Sequence, residues 1–200
     1  MENENFRLGN DFVIPANDAD GKLMAFELGK LNPGRISNEA YRTARESVVR
    51  TCHDVYIETE LDGRRGLLLV VRDAEPAKGA LWPIGGAMRR GIETEESLRY
   101  LTRRECGLEL DKIVELGGSR VFCARNPFAG SELGSDEYGV NFYAIGQGKI
   151  DLDNLHKEPL HKEPRIVTSN EFFSGLQKEL HPYVQKYMKR AFDVMLKHFS

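Results

Sequence analysis

Between Trp82 and Leu110 the chain carries a Gly85-Gly86 turn, a loop and a helical stretch ending Glu105-Cys106-Gly107-Leu108. Glycines let backbone carbonyls and amides approach a ligand closely. In such an arrangement Glu105, near the helix end, meets a carbonyl of the Gly-Gly turn around one hard cation. Mg²⁺ accepts oxygen ligands of this kind and keeps water and phosphate oxygens in its other positions. Bridging a diphosphate, it neutralises the charge of a leaving group. Arginine pairs at Arg64-Arg65, Arg89-Arg90 and Arg103-Arg104 suit a phosphorylated small molecule, or are ordinary solvated surface pairs.

Several elements must position these groups. Residues 1–34 read as an extension in which Phe12-Val13-Ile14-Pro15 is a short edge strand. Ser37 caps a helix to about Val49, with Tyr41, Ala44 and Val48 as its apolar stripe. His53 to Glu60 alternates apolar and polar residues like a half-buried strand. Leu61-Asp62-Gly63 is a turn, and the aliphatic run Leu67 to Val71 is a buried strand. Thr94 caps the next helix, and Gly107 stops it. Strands follow over Ile113 to Cys123 and Tyr138 to Ile145, with a long Gly-, Ser- and Asn-containing loop between them. Leu155 to Pro159 is repeated as Leu160 to Pro164, a local duplication in a loop. Arg165-Ile166-Val167 is a last short strand, and Ser169 or Asn170 caps a short helix. A final helix starts at His181-Pro182, and its stripe of Tyr183, Tyr187, Ala191, Val194 and Met195 must dock on the body or on another subunit. Mixed strands with a central helix and terminal helices indicate an α/β or α+β sandwich.

Composition narrows the setting. A net charge of −3 leaves no electrostatic footprint for nucleic acid. Three cysteines without paired spacing fit neither a disulfide framework nor a zinc site, so a reducing cytoplasm is expected. The start lacks the features of a signal peptide, and no apolar run approaches the roughly 20 residues that span a bilayer.

The Gly-Gly turn, Gly91, Thr94, Glu95-Glu96 and Glu105-Cys106-Gly107-Leu108 resemble the Nudix box of nucleoside diphosphate hydrolases. In that box a glutamate belongs where Ile92 stands, Arg-Glu where Tyr100-Leu101 stand, and Glu-Glu where Arg104-Glu105 stand. The GDP-mannose mannosyl hydrolase branch also has a leucine at the position of Leu101, and its helix end resembles Tyr100 to Leu108. Ile36 to Tyr41, Asp54 to Glu58, Arg72 with Pro76-Ala77, Gly79 and Trp82, and Asn126 with Phe128 and Gly130 are similar to further segments of that branch. The similarity covers roughly residues 35–175, which sets an N-terminal extension (1–34), a Nudix domain (35–175) and a C-terminal helix (176–200).

The resemblance implies a Nudix fold, a mixed sheet sandwiched between helices. It also implies hydrolysis of a GDP-mannose-like nucleotide sugar with one Mg²⁺ and a histidine base. It assigns the base to His161, with its duplicate His156 as the other candidate, and phosphate contact to Arg72. Asp54, Tyr100, Arg104 and Asn126 become substrate contacts, and the Gly85 carbonyl and Glu105 become metal ligands. A homodimer is the expected partner state. Leu160 replaces a glutamine of the metal site, Ala87 an arginine for the leaving group, and Tyr100 the helix arginine. So reduced, the site should hold Mg²⁺ weakly. Either Glu93, Glu95 or Glu96 supplies an oxygen, or Arg104, Arg89 and Arg90 bind diphosphate directly. Two functions stay open, an altered nucleotide-sugar hydrolase and a non-catalytic module that binds a nucleotide or nucleotide sugar.

Overall fold

The computed structural model describes residues 7–8, 11–12, 19–20, 28–32, 34, 37–75, 77–124, 134–157 and 161–197. Its strands are β1 (Arg7–Leu8), β2 (Asp11–Phe12), β3 (Arg50–Leu61), β4 (Arg64–Arg72), β5 (Leu81–Trp82), β6 (Ile84–Ala87), β7 (Glu109–Cys123), β8 (Ser135–Gln147) and β9 (His161–Val167). The helices are α1 (Asn38–Ser47), α2 (Thr94–Cys106), α3 (Leu152–Lys157), α4 (Ser169–Ser174) and α5 (Pro182–Lys197). The main sheet runs β5-β4-β3-β8-β7, with β6 also on β3 and β9 also on β4. The β3–β8 pair is parallel and the other pairs are antiparallel.

Strand periodicity explains the layering. Alternate residues of a strand point to opposite faces, and here both faces are covered. Val55, Ile57, Leu68, Val70, Phe142 and Ala144 pack with Leu98 of α2 and Leu155 of α3. Tyr56, Leu67, Leu69 and Tyr143 pack with Phe172 of α4 and with Tyr183, Tyr187 and Phe192 of α5. The C-terminal stripe therefore docks on the body of its own chain.

β3 departs from the half-buried expectation, being buried continuously from Cys52 to Thr59. Several of its polar groups find partners inside the fold, although His53 Nδ1 and the Tyr56 hydroxyl are buried without one among the described residues. Glu58 accepts from Arg65 at 2.8 Å and from the Tyr143 hydroxyl, and His53 Nε2 lies 2.9 Å from Ser97 Oγ of α2.

Helix ends follow local chemistry, with two corrections. Ser37 caps α1 as expected, accepting from Ala40 N at 3.1 Å. The face that α1 buries is not the Tyr41, Ala44 and Val48 stripe, since Val48 is exposed. Arg45 is the buried residue of this helix and docks by ion pairing. At α2 the cap position is Glu93, without a side-chain cap, and not Thr94. Asp11 of the N-terminal hairpin accepts from Thr94 N at 2.8 Å and from Thr94 Oγ1 at 2.9 Å. A carboxylate there satisfies an orphan N–H and complements the helix dipole. Asp11→Ala is expected to cost about 1 kcal/mol, measured as a lower urea midpoint with an unchanged m-value. Gly107 stops α2 in the left-handed conformation, φ 74°, which glycine adopts without a Cβ penalty.

The duplicated pentapeptide is not one loop. Its first copy lies partly in α3, and the second runs into β9, which begins at His161. Thr168, rather than Ser169 or Asn170, caps α4. Cys52, Cys106 and Cys123 are free thiols. No helix among the described residues is long and apolar enough to cross a membrane.

Candidate functional site

A cavity of about 780 Å³ opens at the end of the sheet where β3 begins. Its walls include Asp54, Arg72, Gly85, Arg104 and Glu105. Five expected site residues, drawn from β3, β4, β6 and α2, thus share one space. Ala87 and Leu101 also line it.

The centre is Asp54. Antiparallel pairing sets Asp54 opposite Gly85. A Cβ built at Gly85 would collide with the Asp54 carboxylate and fall 2.8 Å from the His53 carbonyl oxygen. Gly85 is therefore required by the close approach of β3. From the other side, the Tyr183 hydroxyl of α5 donates to Asp54 Oδ2 at 2.7 Å. Asp54 is only 8% exposed. Burial pushes its carboxyl up from 3.8 to about 6, against the lowering effects of the Tyr183 hydrogen bond and the nearby Arg72 charge.

This raised value has a pH consequence. Folding favours protonated Asp54, so its contribution to stability is complete below pH 3.8 and disappears as pH rises through about 6. The shift corresponds to roughly 3 kcal/mol. Asp54→Asn is expected to remove this slope from stability measured by urea unfolding across the interval. In the unaltered chain, affinity for an anionic ligand should rise as pH falls through 6.

Arg72 lines the same cavity. Among the described residues no ion pair or hydrogen bond engages its guanidinium, and its buried Nε lacks an acceptor. Burial pushes its pKa down, partly offset by the charge of Asp54. Its guanidinium carbon lies 6.0 Å from the centre of the Trp82 ring. Trp82 stacks on Tyr183, with centroids 5.4 Å apart at an interplanar angle of 10°. A guanidinium with carboxylates near it but no direct ion pair among the described residues keeps its donors open to an anionic ligand.

Both expected metal ligands, Gly85 and Glu105, line the cavity, with no larger group of metal-ligating side chains around them among the described residues. Glu105 is 2% exposed, and Arg104 donates to its Oε1 at 2.6 Å. Among the described residues no three His, Cys, Asp or Glu side chains form a group able to hold a metal ion. Glu93, Glu95 and Glu96 do not line the cavity. One carboxylate already met by an arginine, plus a carbonyl, does not fit a cation that wants several anionic oxygens.

Other expected residues are placed differently. Tyr100 is 43% exposed and outside the cavity lining. It sits beneath Arg89, whose guanidinium carbon is 3.9 Å from the ring centroid. Neither Arg89 nor Arg90 lines the cavity. The β4–β9 register sets the His161 backbone opposite Arg72, whereas His156 is exposed on α3 and does not line the cavity. Asn126 lies outside the described residues.

Sequence reasoning missed several lining residues. His181 and Tyr183 were legible only as the start of α5, yet both face this space. Tyr183 N donates to His181 Nδ1 at 3.2 Å. Arg45, Arg50 and Glu137 also line the cavity, brought together from α1, β3 and β8. The arginines gave no motif, and nothing within a sequence window signalled their meeting with Glu137.

No protein-family model matches the sequence, and neither does any curated protein. Solved structures do match. The Nudix domain of Shewanella oneidensis NrtR, complexed with ADP ribose, has a TM-score of 0.53 at 13% identity, covering 80% of this chain and 99% of that one. A Nudix hydrolase from Nitrosomonas europaea has a TM-score of 0.54 at 14% identity, covering 73% and 90%. A MutT protein from Methanosarcina mazei has a TM-score of 0.51 at 16% identity, covering 74% and 96%. With a mixed sheet between helical layers and α2 following the Gly-Gly strand into the cavity wall, the chain has the Nudix fold.

Proposed function

We propose that this domain binds a nucleoside diphosphate-linked small molecule, a nucleotide sugar of the GDP-mannose kind, with the diphosphate at Arg72. The observation that carries this reading is the Arg72 guanidinium, set in the cavity with no ion pair among the described residues. Its desolvation is compensated when an anion arrives, and charge-assisted hydrogen bonds to phosphate are strong and directional. Trp82, Tyr183 and His181 add aromatic surface for the rest of the ligand. The similar NrtR Nudix domain was crystallised with ADP ribose, a compound of this class. Because the donor set does not fit Mg²⁺, binding without cleavage is the reading we place first.

Hydrolysis is the second reading, favoured by Glu105 and Gly85 sharing the cavity and by the alignment of His161 with Arg72. In that reading His161 would act as base, and Glu105 with the Gly85 carbonyl would hold a cation that neutralises the leaving diphosphate.

Trp82 is the single tryptophan of the chain and lines the cavity, so its fluorescence reports occupancy. GDP-mannose, UDP-glucose and ADP-ribose are titrated in EDTA, then incubated with excess Mg²⁺ and analysed for released nucleoside diphosphate. Saturable binding in EDTA without product supports the first reading. Product release that stops in Glu105→Gln moves the assignment to hydrolysis. Absence of binding by every compound overturns both.

A further inference from the structure

We infer that the cavity contains a second anion subsite, formed by Arg45 and Arg50 around Glu137, and that the ligand carries an acidic group in addition to its diphosphate. This rests on the nucleotide-sugar reading above and narrows its ligand class.

The geometry is specific. Arg45 Nη2 lies 2.8 Å from Glu137 Oε1, and Arg50 Nη2 lies 2.6 Å from the same oxygen. Ser135 Oγ accepts from Arg45 at 3.2 Å and donates to Glu137 Oε1 at 3.1 Å. The other carboxylate oxygen meets Cys52 Sγ at 3.4 Å. Two guanidinium groups thus converge on a single carboxylate oxygen, more donors than Glu137 alone can satisfy.

Arg50 also donates from Nη1 to the Tyr41 hydroxyl at 2.5 Å, which fixes its guanidinium at the cavity wall. Arg45 is 6% exposed, and the Nε atoms of both arginines are buried without acceptors among the described residues. Two like charges held close together inside a fold repel each other and are stabilised by a second anion. A staple between α1 and the sheet needs one arginine, and Arg45 on Glu137 supplies it. Arg50 already belongs to β3, paired through the β3–β8 ladder directly opposite Glu137, so its ion pair is not needed to hold the strand. Both arginines line the space that Arg72 lines, so one ligand that enters it can meet all three guanidinium groups.

The acid recognised is a carboxylate or a phosphate, carried either on the sugar or on the ribose. Two matched pairs separate these sources, UDP-glucuronate against UDP-glucose and 2′-phospho-ADP-ribose against ADP-ribose. Each is titrated against the full chain in EDTA, read by Trp82 fluorescence and calorimetry. The acidic member of one pair is expected to bind about tenfold or more tightly, the effect of one additional charge-assisted contact. That preference should shrink with added salt and be lost in Arg50→Gln, while Arg50→Lys retains part of it. Should Arg50→Gln fail to fold, the ligand comparison and its salt dependence in the unaltered chain decide alone. If the neutral members bind and neither acidic member binds better, this subsite is overturned and the diphosphate reading stands. If no member of either pair binds, the diphosphate reading falls and the subsite with it.

Discussion

Arg72→Met is expected to lower affinity for a nucleoside diphosphate-linked ligand roughly 100-fold or more, while the melting temperature stays level or rises. Removing one member of a buried, hydrogen-bonded charge pair costs several kcal/mol of binding, and part of that is the anion left unpaired. Stability should move the other way. In the free protein Arg72 makes no ion pair among the described residues, and its Nε is buried without an acceptor, so removing the guanidinium removes a desolvation cost. Methionine keeps an unbranched stem beside Trp82. Opposed changes in binding and stability mark a residue kept for its ligand. Calorimetry with ADP-ribose or GDP-mannose, paired with thermal unfolding, checks both. Equal affinity, or a collapse of the melting temperature, contradicts the role.

Ending the chain at residue 181 has the second large effect: no cooperative unfolding transition should remain. This removes α5, whose Tyr183, Val184, Tyr187, Met188, Ala191 and Phe192 are buried. Burial of such side chains contributes about 2 kcal/mol each, so the loss is on the order of 10 kcal/mol, comparable to the whole stability of a domain. Circular dichroism melts and amide dispersion in proton–nitrogen spectra of the two lengths provide the comparison. A sharp transition in the shorter chain would make α5 an accessory rather than half of a core. The resemblance stops near residue 175, whereas the hydrophobic core continues through α5.

What the sequence revealed follows from range. Local chemistry was legible: the Ser37 cap, the Asp62-Gly63 turn, the Gly107 stop and the aliphatic run of β4 all act within a few residues. The resemblance also assembled Asp54, Arg72, Gly85, Arg104 and Glu105 into one place, because each lies in a quoted motif. The misreadings arise where a distant partner changes the meaning of a residue. His53, Asp54 and Glu58 make β3 look half-exposed, yet Ser97, Tyr183 and Tyr143 meet them inside the fold through Nε2 of His53 and the two carboxylates. Tyr183 lies 129 residues from Asp54, and Glu137 lies 92 and 87 residues from Arg45 and Arg50. No periodicity within a window reports such pairings. The cap of α2 was misread for the same reason, since Asp11 is 83 residues from Thr94.

The hydrogen bond from Tyr183 to Asp54 also fixes when the pocket can exist. One wall comes from β3 and the other from α5, made 129 residues later. The central β3–β8 pairing is parallel and also remote in sequence, with Arg50 set opposite Glu137. Such contacts require long loops to close before they stabilise anything, which slows folding. During synthesis the emerging chain therefore displays Arg72, Asp54 and the apolar strands well before the helix that covers them. A ribosome-bound chain halted short of α5 holds Arg72 but no pocket, and presents its uncovered sheet face to chaperones instead.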